Sequence, residues 1–135
     1  MRRVQNWRVL FFAWMLSVPT FAQNDYVTGF TPSPHFIVEI EQPLKARAVK
    51  GIIRRKQGDE AALSGVLFQV RGPGDDRTVR SVLTDAKGRF RIRGLKAGSY
   101  IFKATLEGFQ SVAGTIVVVK NGSSKDIEIR MPVGV

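Results

Sequence analysis

Thr84-Asp85-Ala86-Lys87-Gly88-Arg89-Phe90, followed after three residues by Gly94-Leu95-Lys96-Ala97-Gly98-Ser99-Tyr100, reads as two chain reversals with a short strand between them. Asp85 and Gly88 are spaced for a type I turn closed by a left-handed residue. The carboxylate accepts from the backbone amides just after it, and the glycine supplies the positive φ. Beyond the turn Arg89, Phe90, Arg91, Ile92 and Arg93 alternate, which sends apolar side chains to one face of a strand and arginines to the other. Gly94 and Gly98 bracket the second turn with Leu95 directed back to the core, and Tyr100, Phe102 and Ala104 resume the alternation. Three antiparallel strands are expected here. The incoming strand, Arg77 to Thr84, is expected to face Phe90 with Val79, Ser81 and Leu83 and to leave Val82 outside.

Gly51 with Ile53, Leu63-Ser64-Gly65-Val66 and Gly108-Phe109 flank this stretch in fixed order. With them the chain resembles the carboxypeptidase regulatory-like domains, over roughly residues 48–132. The resemblance implies a transthyretin-like (prealbumin-like) β-sandwich, also known as a carbohydrate-binding-like fold. In that fold Thr84, Asp85, Gly88, Phe90, Gly94, Leu95, Gly98, Tyr100, Gly108 and Phe109 are structural motif residues. It also implies a non-catalytic role, because peptidase activity belongs to a separate zinc-binding domain that nothing in this sequence matches. The fold itself hosts many functions.

The rest of the chain supplies further strands. Val49, Gly51 and Ile53 alternate before the polar turn Gln57-Gly58-Asp59-Glu60, and Val66, Phe68 and Val70 repeat the pattern. Arg71-Gly72-Pro73-Gly74-Asp75-Asp76 is a turn-rich loop. Thr115 to Lys120 is a β-branched run suited to a strand covered on both faces, and Asn121-Gly122 is a hairpin signal before Ile127, Ile129 and Met131. These make seven strands and no helix, so the expected fold is an all-β, seven-stranded antiparallel Greek-key sandwich.

Ahead of it, residues 1–22 read as a signal peptide. Arg2, Arg3 and Arg8 precede an apolar run from Val9 to Val18, and Thr20 and Ala22 stand where a signal peptidase takes small side chains. The run is short for a membrane span, and no transmembrane segment is expected after cleavage. The product is expected to be exported, periplasmic or extracellular. Residues 23–47 form an extended arm in which Phe36 to Glu41 alternates and is stopped by Pro43; it is either an edge strand or a linker.

The 135 residues carry 21 basic and 11 acidic side chains, a net charge of +10 that falls to +7 once the three leader arginines are gone. There is no cysteine and one histidine, His35, so no disulfide, thiolate site or histidine-dependent triad is available, and no catalytic, cofactor or metal residue is assigned. Arg89, Arg91 and Arg93, with Arg80 on the neighbouring strand and Lys87 at the turn, are the candidate partner face. They suit a protein or an anionic envelope or glycan partner, and not nucleic acid, from which export separates the chain. The expected function is that of an exported, non-enzymatic accessory or interaction domain. The alternative is a carbohydrate-binding module of starch-binding-like fold, for which Tyr26, Phe30, Phe36 and Phe109 are the candidate surface rings.

Overall fold

The computed structural model describes residues 29–72 and 78–134. The leader, Tyr26 and most of the loop after Arg71 lie outside the described residues. Among the described residues nine strands form two mixed sheets: β1 (Ile37–Glu39), β2 (Leu44–Ala46), β3 (Val49–Arg55), β4 (Leu67–Arg71), β5 (Val79–Leu83), β6 (Arg89–Ile92), β7 (Gly98–Thr105), β8 (Ser111–Val118) and β9 (Ile127–Met131). The larger sheet runs β1-β8-β7-β4-β5, with β2 also on β8, and the smaller runs β6-β3-β9. Strands β4 to β7 lie in the spatial order β7-β4-β5-β6, the Greek-key arrangement, with the change of sheet falling between β5 and β6.

The inward faces follow the period of two. Val49 and Ile53 on β3, Phe68 and Val70 on β4, Phe90 and Ile92 on β6, Tyr100 and Phe102 on β7, and Ile127, Ile129 and Met131 on β9 are all buried. The Phe68 ring stacks on Phe90 at 4.1 Å and on Phe102 at 5.6 Å, so one aromatic column joins both sheets. Each such side chain contributes on the order of 1.5–3 kcal/mol by leaving water. Gly51 belongs to the same face for a steric reason: a Cβ there would collide with the Ile127 carbonyl on the adjacent strand.

Four expectations are corrected. The two extra strands come from the arm: β1 and β2 both pair in parallel with β8, and β3 pairs in parallel with β9. The antiparallel seven-strand count therefore becomes nine strands with three parallel pairings. Second, the Asp85 turn does not close a hairpin ladder, because β5 pairs with β4 while β6 pairs with β3 in the other sheet. Third, Asn121-Gly122 behaves likewise: Gly122 N–H donates to the Val119 carbonyl at 3.3 Å, but β8 and β9 belong to different sheets. A turn signal specifies a local reversal, and the pairing partner is decided by which faces must be buried.

The fourth concerns β5. Val82 is set opposite Phe68 and packs against the core, while Leu83 is 62% exposed. Thr84 explains this parity. Its buried hydroxyl donates to the Leu63 carbonyl at 2.6 Å and accepts from the Val66 amide at 2.8 Å. Turning Thr84 inward turns Val82 inward and Leu83 out.

Residues of the arm cross the outer face of the larger sheet before joining its edge. Phe30 is buried beside the Arg71 guanidinium, 5.6 Å from ring centroid to charge. Thr31 N–H donates to Gln69 Oε1 at 3.0 Å. The arm then runs as β1 along β8, the Ile40 amide donates to the Ala113 carbonyl at 2.8 Å, and β2 extends the same edge before the chain crosses to β3.

Candidate functional site

Strand β6 is an edge of the smaller sheet, paired on one side only. Its register puts Arg91 opposite Lys50 and Arg89 opposite Ile52, with Phe90 and Ile92 turned to the core. Arg89, Arg91 and Arg93 are all exposed and, among the described residues, none makes an ion pair. Elsewhere on the same sheet ion pairs gather: Lys50 meets Asp126 at 3.4 Å, and Arg130 meets Glu60 at 2.7 Å and Glu128 at 2.8 Å, while Arg54 donates to the Glu60 carbonyl at 3.3 Å. Charge is thus partitioned across one sheet face, with compensated pairs toward β9 and bare guanidinium groups on the open edge. Setting Arg91 directly across from Lys50 also weakens the pairing locally.

Arg80 does not belong to this row. Its strand lies in the larger sheet, where Arg80 sits opposite Val70, and its Nη1 donates to the Arg93 carbonyl at 2.8 Å. It ties one sheet to the other at their end. Lys87 is exposed at the turn, next to the start of β6. Arg47, which sequence reasoning did not single out, lines one cleft of about 260 Å³ together with Arg91 and Arg93. It lies in the β2–β3 connection, and nothing in the sequence signals that this connection passes beside β6.

The motif residues hold this edge in place. Asp85 accepts from the amides of Lys87 and Arg89, both at 2.9 Å. The Arg89 amide first, then that of Lys87, holds the Asp85 carboxyl below the usual carboxylate range, with the positive charges of both side chains adding to the effect. Gly88 has φ 74°, and its carbonyl accepts from the Ile53 amide at 2.9 Å. A Cβ there would lie 2.7 Å from the Ile53 carbonyl oxygen, so the turn sits against β3 closely enough to require glycine. Leu95 packs against the core between Gly94 and Gly98, and the Tyr100 hydroxyl donates to the Lys96 carbonyl at 2.7 Å, closing that turn. Gly108 and Phe109 make the reversal between β7 and β8, with Phe109 N–H donating to the Leu106 carbonyl at 3.1 Å.

Of the described candidate surface rings, Phe30 is 8% exposed, Phe109 packs against the core, and Phe36 is 81% exposed. Among the described residues no cluster of three or more His, Asp or Glu is arranged to hold a metal ion, and no helix is long and apolar enough to cross a membrane. In comparisons with known proteins, the family model described as carboxypeptidase regulatory-like domain matches residues 48–132. No curated protein matches the chain.

Proposed function

Because the chain belongs to the carboxypeptidase regulatory-like domain family, we propose that it works as a non-catalytic interaction domain, exported by the Met1–Ala22 leader, that docks an acidic partner on the β6 edge. The supporting observation is the row of three unpaired guanidinium groups, Arg89, Arg91 and Arg93, on an open edge strand, while Lys50 and Arg130 of the neighbouring strands are paired with carboxylates. An acidic protein segment suits this edge better than a lipid or glycan surface. β6 is paired on one side only, and although Asp85 takes up the Arg89 amide and carbonyl, an extended peptide can use the Arg91 stretch of the edge together with the charge. Arg47, joining Arg91 and Arg93 in their cleft, lengthens the cationic surface toward β2.

The test replaces Arg89, Arg91 and Arg93 with glutamine together. Retention of both proteins is then measured across salt concentrations on an immobilised glutamate-rich peptide, on anionic vesicles and on a polyanionic glycan resin. Electrostatic docking weakens steeply with salt, and the triple variant is expected to lose most of what remains on the peptide. Equal retention of the two proteins at every salt concentration would sink the assignment, and stronger retention on vesicles or glycan would transfer it to an envelope component. The carbohydrate-binding alternative rests on Phe36 as the one strongly exposed ring among the described residues, and stacking platforms ordinarily use more.

A further inference from the structure

On the face of the molecule opposite the arginine edge, Lys103 is 2% exposed. It lies on the outward side of β7, opposite Gln69 on β4 and Ala113 on β8, and the arm covers it. An ammonium group has three N–H donors. One of them donates to the Thr31 carbonyl of the arm, and among the described residues no carboxylate pairs with the charge. Two residues further along β7, on the same outward face, stands Thr105; the register carried one step on sets it opposite Ser111. Both hydroxyls are buried without a hydrogen-bond partner, as is that of Ser33 in the arm segment overhead. A buried cation with spare donors and the unpartnered Ser33 hydroxyl therefore share one space between arm and sheet, while Ser33 and Thr105 line a separate adjoining cleft.

That space is open to solvent on one side. Lys103 and Ser33 help to line a groove of about 590 Å³ whose other walls are Phe30, Pro32, Phe36 and Ile37, with His35 beside them. Phe36 and Ile37 are two of the large apolar side chains that the described surface leaves exposed. The volume is that of a small-molecule site, with an apolar wall and a few convergent polar groups at its base. Buried donors with no acceptor call for an anionic one, and a bond to an ionised acceptor is the strongest they can make.

We propose that this groove binds a small amphipathic carboxylate, its head group taken by Lys103 with the Ser33 hydroxyl and its apolar chain laid along Phe30, Phe36 and Ile37. The site is independent of the acidic-partner edge, since it lies on the other sheet.

Hexanoate, hexan-1-ol and inorganic phosphate are titrated into the full chain, with amide chemical shifts as the readout, for the wild type, Lys103→Met and Phe36→Ala. Methionine keeps the length and apolar stem of Lys103 without the charge, and Phe36 is exposed enough that its loss leaves the fold in place. Saturable hexanoate binding is expected, with shifts at Ser33, Phe36 and Lys103. Hexanol and phosphate should bind at least tenfold more weakly than hexanoate. Lys103→Met should weaken hexanoate about tenfold or more, and Phe36→Ala several-fold. Absence of saturable binding, equal binding by Lys103→Met, or shifts confined to Arg89–Arg93 would overturn the site. Phosphate binding as tight as hexanoate, unchanged by Phe36→Ala, would overturn its amphipathic specificity.

Discussion

Asp85 and Thr84 show how two adjacent side chains divide the organisation of the turn. Asp85 ties the chain that follows it, through the Lys87 and Arg89 amides, and its ionised form is the better acceptor. Its folded pKa is lowered below the ordinary 3.8, so its contribution is complete above that value and is lost as pH falls through the lowered one. The stability gap between wild type and Asp85→Ala should be flat near neutrality and shrink in acid below 3.8, which urea melts at a series of pH values will measure. Thr84 ties the chain before it, holding the Leu63–Val66 segment with one donated and one accepted bond. Thr84→Val keeps the shape and leaves a buried amide and a half-buried carbonyl without their partner. It should cost about 1–3 kcal/mol, and a loss below a few tenths would show that water replaces the hydroxyl.

Among the elements, the arm is the one whose placement changes the molecule most. By lying in parallel on β8, strands β1 and β2 close an edge that would otherwise present unpaired backbone groups beside a strand buried along most of its length. A chain beginning at Leu44 loses β1 and the crossing segment, and it should self-associate. Light scattering showing an unchanged monomer would mean that the edge needs no cover. The same crossing segment buries Lys103, and desolvation lowers its pKa from 10.5. The charged form is thus penalised in the fold: the cost is complete below the lowered pKa and is relieved as pH rises from there toward 10.5. The groups facing it are Gln69 and the Thr31 carbonyl, with His35 lining the same groove. Against Lys103→Met, the wild type should gain stability over that alkaline interval. A gap independent of pH would place the ammonium in water.

For the whole molecule, the aromatic column is what makes two sheets one folding unit. Phe90 is the smaller sheet's ring in the stack, and Phe68 and Phe102 are the larger sheet's. Phe90→Ala should therefore cost about 3–5 kcal/mol, a large part of the roughly 5–15 kcal/mol that holds a small domain together. Because the ring serves both sheets, loss should appear as one cooperative transition shifted to lower denaturant, not as separate melting of the β6-β3-β9 sheet. Two transitions in the variant, or a midpoint close to wild type, would show that the sheets are held mainly elsewhere. Charge is also distributed at this scale: ion pairs gather toward β9 and bare arginines at β6, so the molecule presents its cationic edge on the face opposite the Lys103 groove.

The sequence by itself determined the turns, the inward faces of most strands and the all-β character, because these depend on residues one to four positions apart. Gly88 had to be glycine, Asp85 had to cap, and Phe90, Ile92, Tyr100 and Phe102 had to share the core by alternation alone. Tertiary structure decided which strand each one pairs with. The turns at Asp85 and Asn121 reverse the chain as their residues dictate, yet in both cases the next strand joins the opposite sheet, since burying Phe90 on Phe68 and Ile129 in the core requires it there. Arg80 left the arginine row for the same reason, and Val82 turned inward because Thr84 had distant amide and carbonyl groups to satisfy. Lys103 is the extreme case. An outward position on a strand is the ordinary place for a solvated lysine, and only the arm, packed across it from more than seventy residues earlier in the chain, makes it a buried one.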